Sequence, residues 1–181
     1  MHIRQANKSD IDLLVELGRQ TFFETFAADN DPEDMEVYLN STFTHEKIGA
    51  ELDEFGSLFL IGYPDSHASI PIGYAHLIEN CSIPSFVDRD PALQISRLYI
   101  KQREIGKGYG AQLMQACLDH AQKQGLMTVW LGVWEHNRRA LRFYDRWGFK
   151  PVGTQIFNLG RDAQNDWILV RPAQITKNSD Q

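Results

Sequence analysis

Hydrophobic positions along the chain change their spacing in a definite order. Ile3 to Ala6 reads as a short strand. Ser9 and Asp12 then give an N-cap signal, and Ile11, Leu14, Val15, Gly18, Phe22 and Phe26 recur on one helical face. Asp31-Pro32-Glu33 opens a second, shorter helix to about Leu39, and Thr44 caps a third from His45 to about Leu52. Two apolar runs follow, Leu58 to Tyr63 and Ile72 to Ile78, close enough to pair as antiparallel strands. Asn80 to Pro91 reads as loop, and Leu93 to Ile100 as the next strand.

The spacing changes again at Gly106-Lys107-Gly108-Tyr109-Gly110, which leads into a helix. There Gly110, Leu113, Met114, Cys117, Leu118 and Ala121 follow helical spacing, and Gly125 supplies the stop. Met127 to Val133 is a continuous apolar run, as expected of a buried parallel strand. Asn137 caps a helix to about Trp147, which Gly148 ends. Lys150 to Phe157 and Asp166 to Val170 read as closing strands. Residues 1–171 therefore read as one mixed α/β domain around a single sheet, and 172–181 as a polar, disordered tail.

Composition narrows the class of protein. At 181 residues the chain fits one domain on the usual scale of about 100–200 residues. No apolar run approaches the roughly 18 residues that span a bilayer, and the N-terminus lacks the apolar core of a signal peptide. Cys81 and Cys117 form no metal or redox motif and read as reduced thiols, which points to the cytoplasm. A net charge of −6 argues against a nucleic-acid partner and is compatible with a cationic substrate. No membrane partner and no metal are expected, since His2, His45, His67 and His120 show no ligand spacing. A homodimer is left open.

Chemistry concentrates between Arg97 and Gly110. A strand, a glycine turn and a helix start follow one another, which gathers unpaired backbone N–H groups and the positive end of a helix dipole at one point. Glycines let a bulky anion approach the backbone, and Lys101, Arg103 and Lys107 add positive charge. A phosphate or pyrophosphate is the expected ligand. Gly106-Lys107 is followed by Gly108 rather than Ser or Thr, which argues against a P-loop. A dinucleotide fold would need more strand–helix units than the remaining chain supplies, and its acidic residue is missing from the next strand.

Leu98-Tyr99-Ile100, the glycine turn, and the later run Asn137-Arg138-Arg139-Ala140-Leu141-Arg142-Phe143-Tyr144-Asp145-Arg146-Trp147-Gly148-Phe149 together resemble the GNAT superfamily of N-acetyltransferases. The second run resembles the superfamily signature N-x-x-A-x-x-x-Y-x-x-x-G-F. Thr21 to Phe26, Trp130 to Asn137, Phe157 to Gly160 and Asp166-Trp167 are similar to the bacterial spermine/spermidine acetyltransferase group. With the pattern's glycines at Gly108 and Gly110, one position departs: Ile105 stands where the superfamily carries Gln or Arg, which bears on one side-chain contact and not on the backbone site. Arg103-x-x-Gly106-x-Gly108 meets the pattern two residues earlier but fits the neighbouring strand less well.

The resemblance implies a six- to seven-stranded, mostly antiparallel mixed sheet flanked by helices, with one central parallel strand pair. It implies acetyl-coenzyme A as co-substrate, held by Leu98, Tyr99 and Ile100, by Ile105, Gly106, Lys107, Gly108, Tyr109 and Gly110, and by Asn137. It also implies acetylation of a small, polyamine-like primary amine by direct attack, with a protein or peptide amine, or a noncatalytic sensor of acetyl-coenzyme A, as the rival readings. Tyr144 lies seven residues after Asn137, on nearly the same helical face, and can donate a proton to the leaving thiolate. Glu135 or His136, just past the strand end, could take the proton of the amine, with His76 and Glu79 behind them. Phe22, Phe26 and Tyr38 could line the acceptor pocket, with Glu24 or Asp34 holding an ammonium group.

Overall fold

The structure is a computed structural model of the chain and describes residues 1–65, 69–79 and 91–174. Its strands are β1 (His2–Gln5), β2 (Ser57–Tyr63), β3 (Gly73–Glu79), β4 (Ala92–Ile100), β5 (Thr128–Trp134), β6 (Lys150–Leu159) and β7 (Asp162–Pro172). Its helices are α1 (Ile11–Phe26), α2 (Pro32–Thr42), α3 (His45–Asp53), α4 (Tyr109–Lys123) and α5 (Arg138–Arg146). The strands form one seven-stranded sheet in the order β1-β2-β3-β4-β5-β7-β6. Only β4 and β5 run parallel. This is the mixed sheet with one central parallel pair that the family resemblance implied. No helix among the described residues is long and apolar enough to cross a membrane.

Strand alternation sends side chains to two cores, one on each face of the sheet. Leu113, Met114 and Cys117 of α4 and Tyr144 of α5 pack with Ala75, Leu77, Leu93, Ile95 and Leu131. Leu14, Leu17 and Phe22 of α1, Met35 and Leu39 of α2, and Ile48 of α3 pack with Phe59, Ile61 and Tyr74 on the other face. Within β4 the phase of this alternation shifts. Leu77 pairs with Ile95 but His76 pairs with Arg97, so Ser96 is an extra, bulged residue. Leu93 and Ile95 face α4 before the bulge, and Leu98 and Ile100 face it afterwards. Tyr99 is thereby turned to the α1 face.

Several element ends differ from the sequence reading. Ser9 does not cap α1: the Asn7 side chain accepts from the Ser9 N–H at 2.9 Å, and the Asp10 carboxylate accepts from the Asn7 N–H at 2.9 Å. Asp10 is drawn into that role because it also pairs with Arg4 at 2.6 Å. β1 ends at Gln5, one residue short of Ala6, and α2 runs on to Thr42. β7 begins at Asp162, four residues before the apolar run, and continues through Pro172. Its first residues pair with the edge strand β6 and carry polar side chains, so hydrophobicity does not mark them. The loop expected at Asn80 to Pro91 lies outside the described residues except for Pro91, as do Cys81, His67 and the tail from residue 175.

Candidate active site

The central feature is a split in the sheet. β4 pairs with β3 as far as Ile100, but it pairs with β5 only over Ala92–Gln94 against Thr128–Trp130. Beyond that point β5 keeps its other partner, pairing with β7 as far as Trp134 against Asp166. The facing edges of β4 from Ile95 and β5 from Leu131 thus part. Their backbone N–H and C=O groups need partners, because buried backbone polar groups are rarely left alone. A cavity of about 650 Å³ fills this split and reaches both faces of the sheet.

On the α4 face the cavity is lined by Ile105, Gly106, Gly108 and Gly110, with Asn137, Ala140, Phe143 and Tyr144 from the α5 segment. Gly106 and Gly108 have φ of +88° and +81°, and a Cβ at either would meet nothing within 4 Å. The turn is therefore open to a bulky group as well as conformationally glycine-dependent. Gly108 is the N-cap of α4 and offers no side-chain cap, so the first amides of the helix stay available. This fits a diphosphate. Arg139 and Arg146 add positive charge to the lining. Lys107 instead pairs with Glu104 at 2.9 Å, and Lys107 and Tyr109 are not among the lining residues.

Asn137 caps α5 by accepting from the Ala140 N–H at 3.1 Å, which fixes where the helix starts and so where Tyr144 points. Tyr144 is buried against Phe143 and Phe149, lines the cavity, and has no hydrogen-bond partner among the described residues. Burial pushes its phenol well above the ordinary range. It stays protonated at neutral pH, which is the state a proton donor needs.

On the opposite face the cavity has aromatic walls. Phe22 stacks on Tyr38 with centroids 4.4 Å apart, Tyr38 meets Phe157 at 5.3 Å, and Phe26 meets Trp134 edge-on at 6.2 Å. Tyr99, turned to this face by the bulge, meets Phe22 at 6.3 Å and Phe26 at 6.4 Å. Gln155, Gln164 and Asp166 contribute polar groups to the lining. Among the described residues that line the cavity, Asp166 is the only acidic one. Burial raises its carboxyl pKa to about 6.

The acidic and histidine candidates from the sequence mostly fall elsewhere. Glu24 accepts from the Gln102 N–H at 2.7 Å, and Asp34 accepts from the Arg161 N–H at 2.9 Å and its Nε at 3.0 Å. Both carboxylates are thus committed to joining segments. Glu135 and His136 lie 3.9 Å apart at the end of β5, outside the cavity lining, and His136 is largely exposed. Glu79 pairs with His120 at 2.6 Å. His76 is buried beneath Arg97 and stacked on Phe59 at 4.1 Å. Arg97 does reach the cavity, but Glu51 holds it in two hydrogen bonds of 2.6 and 2.8 Å.

Sequence reasoning missed Asp166, Gln155, Gln164 and Gly132 as site residues. A signal existed for Asp166: it shares strand parity with Ile168 and Val170, so a lone carboxylate sat on an inward-facing row.

A glycine-opened helix start, a sheet split beside it and a tyrosine across the gap suit an extended ligand with a diphosphate at one end. The pattern of the acetyltransferase (GNAT) family matches residues 16–149, and the chain belongs to that family. It is therefore an N-acetyltransferase with acetyl-coenzyme A as co-substrate. It is similar to an uncharacterized N-acetyltransferase of Lactobacillus delbrueckii subsp. lactis, at 33% identity over 92% of this chain and 94% of the relative. It is 26% identical to a spermidine N(1)-acetyltransferase of Thermoplasma acidophilum, over 85% of this chain and 91% of the relative. Among solved structures, the PaiA N-acetyltransferase of Thermoplasma acidophilum in complex with coenzyme A shares the fold. The TM-score is 0.71 and the identity 23%, with 94% of this chain and 98% of that chain covered.

Proposed function

We propose that the protein acetylates a small primary amine by direct attack within a ternary complex. The observation that carries this is the continuous cavity through the β4–β5 split, with an open glycine turn at one end and aromatic walls at the other. The amides of Gly106 to Gly110 and the start of α4 hold the diphosphate. The free edge of Leu98, Tyr99 and Ile100 pairs with the extended arm, and an amide of this edge polarises the acetyl carbonyl. Asn137 orients α5, and Tyr144 donates to the sulfur as the C–S bond breaks. Ile105 contributes apolar contact at the turn, where a longer polar side chain would have added a hydrogen bond.

No acyl-enzyme step is needed. Cys117 is the cysteine beside Tyr144, and burial pushes its thiol up to about 12, so it is not a nucleophile at neutral pH. The amine class includes polyamines, which the Thermoplasma relative's name brings to the front of any test panel. The free, buried thiol of Cys117 agrees with a reducing, cytoplasmic setting.

Calorimetry with acetyl-coenzyme A, followed by thiol release across a panel of polyamines, monoamines and peptides, tests the reading. Binding with amine-dependent thiol release is expected. Binding without acceleration by any amine would turn the protein into a sensor of the thioester.

A further inference from the structure

The proposal concerns the acceptor end of the cavity, and it rests on acetyl transfer to an amine as set out above. Asp166 is nine-tenths buried, lines the cavity, and has no hydrogen-bond or ion-pair partner among the described residues. Such a carboxylate is costly to keep unless something binds it. Its position is specified by two strands. It lies on β7 opposite Trp134 of β5 and opposite Gln155 of β6. Gly132, two residues before Trp134, leaves room for it: a Cβ there would lie 3.3 Å from Asp166 Oδ2 and 2.8 Å from Gln155 Nε2. The carboxylate and the amide therefore lean over Gly132, the part of β5 that has lost β4 as a partner.

We infer that Asp166 is the residue that binds the acceptor's ammonium group and takes its proton. The chemistry balances. R–NH3⁺ gives one proton to the Asp166 carboxylate, which passes it to solvent. The freed lone pair forms the C–N bond. The C–S electron pair leaves on sulfur, which receives the Tyr144 proton, and Tyr144 regains one from the new amide nitrogen. The products are the N-acetyl amine, the free thiol and one proton.

The same lining narrows the acceptor. Among the described residues it offers one carboxylate, and its other charges are the guanidinium groups of Arg97, Arg139 and Arg146. Around Asp166 the walls are Phe22, Phe26, Tyr38, Trp134 and Phe157. This suits a single ammonium on an apolar or aromatic body, whose ring or chain packs on those faces. A polyamine brings several ammonium groups, and only one can meet a carboxylate inside the cavity. Among the titratable groups of the lining, Tyr38 from α2 feels the charge of Asp166, and Arg97 and Tyr99 from β4 line the same cavity, with Arg97 already paired to Glu51. β5 and β6 present Gly132, Trp134 and Gln155 there, none of which titrates.

The test uses the full chain with 2-phenylethylamine and spermidine as probes. The wild type is expected to favour 2-phenylethylamine over spermidine in kcat/KM by about tenfold or more. Asp166→Asn should lower kcat/KM for 2-phenylethylamine by about 100-fold or more, as expected on losing a general base. Its calorimetric affinity for acetyl-coenzyme A should change by less than about twofold, and Asp166→Glu should recover part of the lost turnover. Titrating 2-phenylethylamine into protein saturated with coenzyme A should give heat with the wild type and none with Asp166→Asn. Equal turnover and equal heat in the two proteins would overturn the assignment, as would the absence of amine heat in a wild type that binds acetyl-coenzyme A. That second outcome leaves the acyltransferase reading standing. A wild type that binds no acetyl-coenzyme A sinks both, and a preference for spermidine overturns the single-ammonium pocket.

Discussion

Tyr144 and Asp166 are polar groups that the fold buries on opposite faces of one split, with no hydrogen-bond partner among the described residues. Burial acts on them in the same direction, raising both pKa values, with different chemical results. A phenol pushed up stays a donor through the whole working range. A carboxyl pushed to about 6 is ionised at pH 7 yet holds a proton better than an exposed aspartate. Tyr144→Phe removes the donor and little volume. It should lower kcat by about 100-fold with acetyl-coenzyme A affinity within about twofold, read by steady-state kinetics beside calorimetry. Unchanged turnover would take Tyr144 out of the mechanism. Cys117, packed in the same core, should resist alkylation in the folded protein at pH 8 and react only on unfolding.

The glycine turn before α4 shows what an element contributes beyond its side chains. Gly108→Gln and Gly108→Glu place nearly the same volume at a φ of +81°, so both should lose stability to backbone strain of about 1 kcal/mol. Only the glutamate sets a charge against a bound diphosphate. Its acetyl-coenzyme A affinity should therefore fall below that of the glutamine variant by about tenfold, and equal affinities would mean the anion sits elsewhere. On the other side of the sheet, α3 is tied to β4 through Glu51 and Arg97, both largely buried. Glu51→Ala leaves that guanidinium unpaired and should cost about 3 kcal/mol in denaturant unfolding. The helix starts at Pro32, Thr44 and Asn137 and the glycine stops at Gly125 and Gly148 were legible, because capping chemistry is local. The Asn7–Asp10 cap was not, since Asp10 is recruited by Arg4 from β1. The start of β7 was not, since an edge pairing needs no apolar side chains. The glycine turn that lines one end of the cavity lies in one contiguous segment, so its place beside a helix start was legible there. The aromatic end of the cavity is assembled from α1, α2, β5, β6 and β7, and no short window of sequence contains it.

Stability across pH follows from how the whole fold distributes its buried titratable groups. His76 lies under Arg97 and beside Ser57, with Glu51 at 4.0 Å from Nδ1. Burial, and secondarily the Arg97 charge, lower its pKa to about 3 from an ordinary 6.5. Arg97 offers only donors, so Nδ1 carries the lone pair and Nε2–H donates to Ser57 Oγ at 2.9 Å. Between pH 3 and 6.5 the unfolded chain binds this proton and the folded chain does not, so His76 makes stability rise with pH. Asp166 has the opposite sign. Its folded pKa of about 6 exceeds the ordinary 3.8, so between those values the folded chain holds the extra proton and stability falls as pH rises. Asp10, Asp34 and Asp145 are held below the ordinary carboxylate range by Arg4, Arg161 and Lys150, and their contribution is lost only as pH falls below about 4. The interval from about pH 4 to 6 is thus set by His76 and Asp166, whose slopes oppose each other. The wild type should have a nearly flat melting temperature across it. Asp166→Asn removes one of the two slopes. It should melt a few degrees higher than the wild type at pH 7.5 and then lose stability on acidification towards pH 4, with a slope approaching about 1.4 kcal/mol per pH unit. Parallel profiles for the two proteins would show that Asp166 is not desolvated in the folded chain, and the acceptor site argued from its burial would fall with that result.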